Sequence, residues 1–525
     1  MQSVMHHDFS KAPTADIPRS SFNRSHGLKT AFDAGKLIPV YVDEALPGDT
    51  LSMNPSMFAR MSTPIYPLMD NMYMDIHFFS VPMRQLWTNF RKFCGEQTDP
   101  GDSIDYTMPV VTTPVGGHAE ESLFDYLGLP IDVDDIDPNA MFSRAYNHIY
   151  NEWYRDQNLI DSAVVDTDDG PDTATDYVIR RRGKRHDYFT SCLPWLQKGD
   201  AVSIPLGTTA PVEGIGKVNQ TFPSASTTVY ETGQTSSSSF ASSADIDTAS
   251  ANTSFHVEED PNNSGFPAIY ANLSTATAAT INQLRQSFQI QKLLERDARS
   301  GTRYAEIVKS HFGVNFYDPS YRPEFLGGSS TPINVHPVPQ TGETNTTPQG
   351  NMSAFATASS TEGGFTKSFT EHCVVMGIAS VRADLTYQQG VNRMFSRSTR
   401  YDYYWPALAH IGEQSVLNKE IYADGSANDD LVFGYQERFA EYKYKPSVIT
   451  GAFRSTAATP LDAWHLSQEF GSLPGLNQAF IEETPPVSRV VAVTTEPEFI
   501  ADFYFNLQCA RPMPLYSVPG LIDHF

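Results

Sequence analysis

The chain has 525 residues, 40 % of them hydrophobic and 12 % aromatic, with 37 Lys and Arg against 61 Asp and Glu for a formal charge of -24. A single core rarely grows past about 250 to 300 residues, so the chain is either multi-domain or one domain carrying long insertions. Its four cysteines form no C-x-x-C pair, which excludes a zinc ribbon and a dense disulfide framework, and it has no membrane-spanning run of about 18 apolar residues.

Charged residues make up 19 %, below the roughly 25 % usual for soluble domains. Gly and Pro number 33 and 36, a habit of short strands and many turns more than of helical bundles. The opening residues lack the apolar core of a secretory signal, so secretion by that route is not expected. Residues 1–35 read as a polar, Pro-punctuated arm in which Arg19 and Arg24 are candidates for phosphate contact. Residues 36–525 read as one decorated β domain. "KLIPVYVDEAL" is its first strand, and "MYMDIHFFSV" a second, with Met72, Met74, Ile76 and Phe78 on one face. "PMRQLWTNFRKFCG" predicts a short helix.

Glu96 to Asp176 forms an acidic insertion, with 19 Asp and Glu against only Arg144 and Arg155. Inside it, "DVDDIDPN" has the carboxylate density of a calcium loop but lacks the Gly at position 6 and the Glu at position 12, so no metal site is assigned. The helix that follows is capped by Asn139 and stacks Met141, Ala145, Ile149 and Trp153 at i+4 spacing. The charge then reverses in "RRRGKR": Arg180, Arg181, Arg182, Lys184 and Arg185 could neutralise phosphates, and Tyr188, Phe189 and Trp195 could stack on bases. The competing reading is a charge cluster at a subunit contact, with the aromatics in the core.

In Thr221–Thr280, 22 of 60 residues are Ser or Thr and none is Lys or Arg, too little apolar surface for an independent core. "TINQLRQSFQIQKLLERDARSG" predicts a helix that aligns Ile281, Leu284 and Phe288 and stops at Gly301. Residues 326–364, rich in Gly, Ser, Thr and Pro, read as a loop. "CVVMGIASVRADLTY" is a third strand, and "EFIADFYFNLQCA" a fourth with strict alternation from Phe499 to Cys509. In "EHC", Glu371 to Cys373, successive side chains point to opposite faces of a strand and do not share a metal. No nucleophile elbow, phosphate loop, dinucleotide fingerprint or H-E-x-x-H helix occurs, so no catalytic residue and no cofactor is assigned.

Several stretches together are similar to one family. "HDFSKAPTADIPRSSFNRSHGLKTAFDAGKLIPVYVDEALPGDT", "MYMDIHFFSVPMRQLWTNFRKF", "GKRHDYFTSCLPWLQKGD", "GTRYAEIVKSHFGV" and "ERFAEYKYKPSVITGAFRS" resemble the major capsid protein of gokushoviruses, single-stranded DNA phages of the microvirus group. The resemblance implies an all-β fold, an eight-stranded antiparallel jelly roll with long loop and helix insertions. It also implies a homo-oligomeric T=1 icosahedral shell of about sixty copies around a circular single-stranded DNA genome. Implied partners are a small internal DNA-binding protein, a pilot protein and a bacterial surface receptor. The Ser/Thr-rich segment is then expected to form a threefold protrusion for host attachment, with Thr235, Ser236, Ser237, Ser238, Ser239, Phe240, Asp245 and Asp247 as its candidate residues. The alternative function is a single-stranded nucleic-acid-binding protein outside any shell, centred on Arg180–Arg185.

Overall fold

The computed structural model describes residues 17–203, 212–213, 227–229, 238–240, 244–245, 254–255, 269–271, 280–315 and 321–516. Thr235, Ser236, Ser237 and Asp247 therefore lie outside the described residues, as does the first part of the expected arm. The chain divides into two compact units, one built from Met1–Leu196 with Ser300–Phe525, the other from Gln197–Arg299.

The first unit is mainly sheet. Its strands of four or more residues are β1 (Ser20–Asn23), β2 (His26–Phe32), β3 (Ile38–Ala45), β4 (Thr50–Met61), β5 (Met72–Pro82), β6 (Glu324–Pro332), β7 (Asn334–Pro339), β8 (Met352–Ser360), β9 (Phe365–Ser368), β10 (Cys373–Ala383), β11 (Glu413–Leu417), β12 (Val432–Glu437) and β13 (Phe499–Arg511). One antiparallel sheet runs β1-β13-β4-β8-β7, with β2 also on β13 and β9 also on β4. A second runs β6-β5-β10-β3, and β11 pairs with β12.

All four sequence-predicted strands form. In β13, Phe499, Ala501, Phe503, Phe505, Leu507 and Cys509 are buried while the residues between them are exposed. The buried faces of both sheets meet in one core, where Phe505 lies 5.2 Å from Tyr41 and Phe78 lies 5.6 Å from Phe365, centroid to centroid. Strand β10 is buried along its whole length, because its other face carries a second core. There Val374, Met376 and Ile378 join Phe79 and Val81 beneath Trp87, Leu123 and Tyr146.

The acidic insertion supplies that cover through helix α1 (Met141–Ile149), whose Met141, Ala145 and Ile149 are fully buried. Asn139 Oδ1 accepts the Met141 amide at 2.9 Å, the predicted cap. Arg144, one of the two cations of the insertion, is buried on this helix and donates to both carboxylate oxygens of Asp172 and to the carbonyls of Leu86 and Asp168.

Residues 326–364 are corrected from a loop to strands: β7 and β8 lie wholly within them and most of β6 does. Their small residues serve close packing. Ala354, Ala356 and Ala358 alternate into the core, and a Cβ on Gly328 would run into the Ile76 carbonyl of the neighbouring β5. No strand is predicted over Thr50–Met61, and the structure places β4 there with Pro55 inside it, a residue unusual in a central strand. It sits between the stretch paired with β9, ending at Met53, and the stretch paired with β8, beginning at Met57, where the ladder on that side is already interrupted.

Of the second unit, the described residues are short antiparallel pairs and helix α2 (Ile281–Ser300). Ser238–Phe240 pairs with Thr227–Val229, and Ala244–Asp245 with Ser254–Phe255. Helix α2 starts with a reciprocal cap, the Gln283 amide donating to Thr280 Oγ1 and the Thr280 amide to Gln283 Oε1. Gly301, at φ +99°, follows its end as predicted.

Phe503→Ala should destabilise the dissociated subunit by about 3 to 5 kcal/mol in denaturant unfolding. Tyr504→Ala, one residue along on the exposed face, should stay within about 0.5 kcal/mol.

Candidate functional site

The basic segment is a strap inside the first unit. Its backbone joins the β2–β3 turn to the chain near Glu483: Leu37 N donates to Arg180 O, Arg182 N to Gly35 O, Glu483 N to Arg182 O, and Lys184 N to Ile481 O, all at 2.8 to 2.9 Å. Gly35 has φ +79°, and a Cβ there would run into the Glu483 carbonyl oxygen, so only glycine lets the strap close.

The side chains point to protein groups. The Arg180 amide donates to Tyr146 Oη at 2.9 Å, and its guanidinium to the Asp176 carbonyl at 3.3 Å. Arg181 Nη1 donates to the carbonyls of Ala34 and Glu483 at 3.1 and 3.2 Å. Arg182 Nη1 reaches Asp75 Oδ2 at 2.7 Å and Ser380 Oγ at 2.8 Å. Arg382 Nε holds the same Asp75 oxygen at 3.0 Å, and Ser330 Oγ donates to the other at 2.6 Å. Burial pushes the Asp75 carboxyl up, but the Ser330 hydrogen bond and the two arginines outweigh it and hold it below the ordinary range.

Lys184 is buried, donating to Gln468 Oε1 at 2.8 Å and to the Phe480 carbonyl, with the Phe480 ring 4.8 Å away. Burial pulls its ammonium down to about 8, against the opposing pull of Glu483 and Asp187. Arg185 differs: its side chain is 60 % exposed, with Asp384 at 3.8 Å. Tyr188 and Phe189 are buried in a third core with Tyr387, Val416 and Phe433, so their reading as base-stacking residues is corrected to core packing.

The other singled-out residues fall elsewhere. Arg19 is exposed and donates to Thr50 Oγ1 at 3.2 Å, while Arg24 pairs with Asp43 at 2.5 Å. In the aspartate-rich loop, Asp134 accepts the Gly116 amide and Asp137 the Thr113 amide, so these carboxylates organise turns. Among the described residues no group of three or more His, Cys, Asp or Glu could hold a metal ion. Glu371 forms a two-pronged pair with Arg84, and burial raises the Cys373 thiol to about 12. No helix among the described residues is long and apolar enough to cross a membrane.

The sheet architecture is consistent with a viral capsid jelly roll. Residues 10–521 match the family described as capsid protein (F protein). The chain belongs to this capsid protein family. It is 46 % identical to capsid protein VP1 of Bdellovibrio phage phiMH2K over 528 positions, covering 99 % of this chain and 98 % of the relative. The capsid protein VP1 of Chlamydia phage 1 is 43 % identical over 611 positions, with 99 % and 98 % covered. That of Spiroplasma virus 4 is 36 % identical over 543, with 98 % and 97 % covered. These matches bear out the resemblance to gokushovirus capsid proteins. A capsid protein is a structural component of the virion and not an enzyme.

For this capsid protein, Asp75→Ala should cost about 3 to 5 kcal/mol of subunit stability, because it strands two partly buried guanidinium groups. Lys184 sets a pH dependence. The unfolded lysine holds its proton up to its ordinary value of 10.5 and the folded one only to about 8. Between these values the unfolded state binds more protons, so the Lys184 contribution to stability rises with pH. Denaturant unfolding across that window should show a steeper rise for the wild type than for Lys184→Met.

Proposed function

We propose that this chain self-assembles into a T=1 icosahedral shell of about sixty copies around a circular single-stranded DNA genome. The observation that carries the reading is the family match over residues 10–521 together with relatives named capsid protein along their whole length. In this reading the two sheets are an eight-stranded jelly roll extended by further strands. Subunits meet through apolar patches with polar rims, so one chain presents several different faces to its neighbours.

Genome contact within this reading falls to the cations left at the surface. Arg185 and Arg19 are exposed, whereas Arg180, Arg181, Arg182 and Lys184 hold the strap and Arg24 holds Asp43. Internal DNA-binding and pilot proteins of the same phage would share the interior. The Ser/Thr-rich segment Thr221–Thr280 lies in the second unit and would form the threefold protrusion that meets a bacterial receptor. Ser238, Ser239, Phe240 and Asp245 stand in its short strand pairs. The Chlamydia phage 1 alignment needs 611 positions for a chain of 525 residues, so that relative carries inserted segments.

Electron microscopy of the purified chain should show uniform closed particles with Thr221–Thr280 on the outside. Salt-sensitive DNA binding by a chain that stays monomeric would instead favour a nucleic-acid-binding protein outside a shell. Density placing the segment on the inner wall would sink the protrusion. In assembled particles, Arg19→Ala with Arg185→Ala should lower DNA retention and leave shell formation intact.

A further inference from the structure

Away from the strap, two segments of the first unit, residues 392–406 and 437–446, build a surface of rings and cations. Tyr401, Tyr403, Tyr404, Trp405, Tyr442 and Tyr444 are each between 50 and 57 % exposed. With Phe395, 75 % exposed, seven exposed rings stand in two short segments, a concentration that marks an interaction surface. The segments hold six cations and three carboxylates, in a chain whose overall charge is -24.

The rings and cations are organised together. The Arg397 guanidinium lies 4.3 Å from the Tyr442 ring and 5.4 Å from that of Tyr403, and Arg400 lies 5.1 Å from Tyr401. Arg438 Nη2 donates to the Tyr401 carbonyl at 3.0 Å and ties the two segments together, while Trp405 Nε1 donates to the Arg400 carbonyl at 2.9 Å. Beneath them Phe439 is buried at φ +64°, a conformation that a bulky residue rarely adopts, with its ring 5.3 Å from Tyr404 and 6.2 Å from Tyr442. Arg397 is neutralised by Glu441 at 3.3 Å and Lys443 by Glu437 at 2.6 Å. Among the described residues no carboxylate pairs with Arg400, Arg438 or Lys445.

We propose that this surface is a stacking platform for unpaired bases of single-stranded DNA, with Arg400, Arg438 and Lys445 meeting its phosphates. The proposal rests on the genome-enclosing reading above and names a site for it. Every base has a π-face, so exposed rings beside unpaired cations bind single strands without reading sequence. Another copy of the chain is the weaker occupant. Protein interfaces share the enrichment in Tyr, Trp, Phe and Arg seen here, but they are depleted of lysine, whereas this surface carries Lys443 and Lys445 and holds twice as many cations as carboxylates.

Binding of a fluorescent oligothymidylate to dissociated full-length subunits tests it, with particle formation followed in parallel by electron microscopy. The triple variant Tyr401→Ala, Tyr403→Ala, Trp405→Ala should weaken binding at least about tenfold. Arg400→Gln with Lys445→Gln, both exposed and free of carboxylate partners, should reduce the slope of log affinity against log salt by about 1.4. Trp405→Phe should keep the affinity and lose part of the tryptophan quenching seen on addition of unlabelled oligothymidylate. Unchanged affinity and salt slope in the first two variants, with wild-type particles forming normally, would overturn the platform and leave the shell reading intact. Variants that bind DNA like the wild type but no longer assemble would overturn it in favour of a neighbouring subunit. A wild-type chain that neither assembles nor binds DNA would remove the underlying reading as well.

Discussion

The ladder between β4 and β13 is the contact on which the rest of this capsid protein depends. It pairs Phe499 with Met61 and runs unbroken to Ala510 with Thr50, joining residues some 440 apart in the sequence. The same β13 carries β1 and β2 on its other edge, so the N-terminal arm is fixed only once the C-terminal strand is in place. Its inward phenylalanines then reach Tyr41 and Phe78 of the opposite sheet, and the sandwich closes around them. Pairing this distant is slow to find and strongly cooperative once made, because the loop entropy is recovered only when the whole ladder forms.

Charge is distributed around that core in an unusual way for so acidic a chain. Arg144, Arg182 and Arg382 point inward, each against a carboxylate and further hydrogen-bond acceptors. Burying a cation is costly unless it is paired, and Arg382 Nη1 stays buried without a hydrogen-bond partner, so these contacts hold register more than they add stability. The Asp75 cluster is the clearest case, because it locks the strap to β5, β6 and β10 at one point. Cations committed to the fold are not available to a polyanion. The cations open to one are those at the surface, Arg19 and Arg185 by themselves and Arg400 and Lys445 among exposed aromatic rings.

The strands that were legible in the sequence are those whose side chains separate cleanly by face, such as β13, and those rich in β-branched residues, such as β10. Strands β6 and β8 were hidden because their packing uses alanine, glycine and serine, residues that composition assigns to loops, and β7 because it carries two prolines. Strand β4 alternates apolar and polar residues from Leu51 to Met61, so its signal is present in the sequence although no strand is predicted there. The segment Arg180–Arg185 drew attention by charge density alone, which counts charges and is blind to their partners. The aromatic run near Trp405 carried the stronger pattern for stacking, rings and cations interleaved, but nothing local distinguishes exposed rings from core rings.

By itself the sequence determined the predominantly β fold, the cap at Asn139, the stop of helix α2 at Gly301, and the family. Each of these follows from patterns within a few residues or from motifs kept in order along the chain. Tertiary structure alone decided which cations are internal, that Tyr188 and Phe189 are core, and that Tyr401 to Trp405 stand open beside Tyr442 and Tyr444. The physical reason is that burial and ion pairing are set by partners hundreds of residues away. Asp75, Arg182 and Arg382 become one cluster only after the second sheet and the strap have come together.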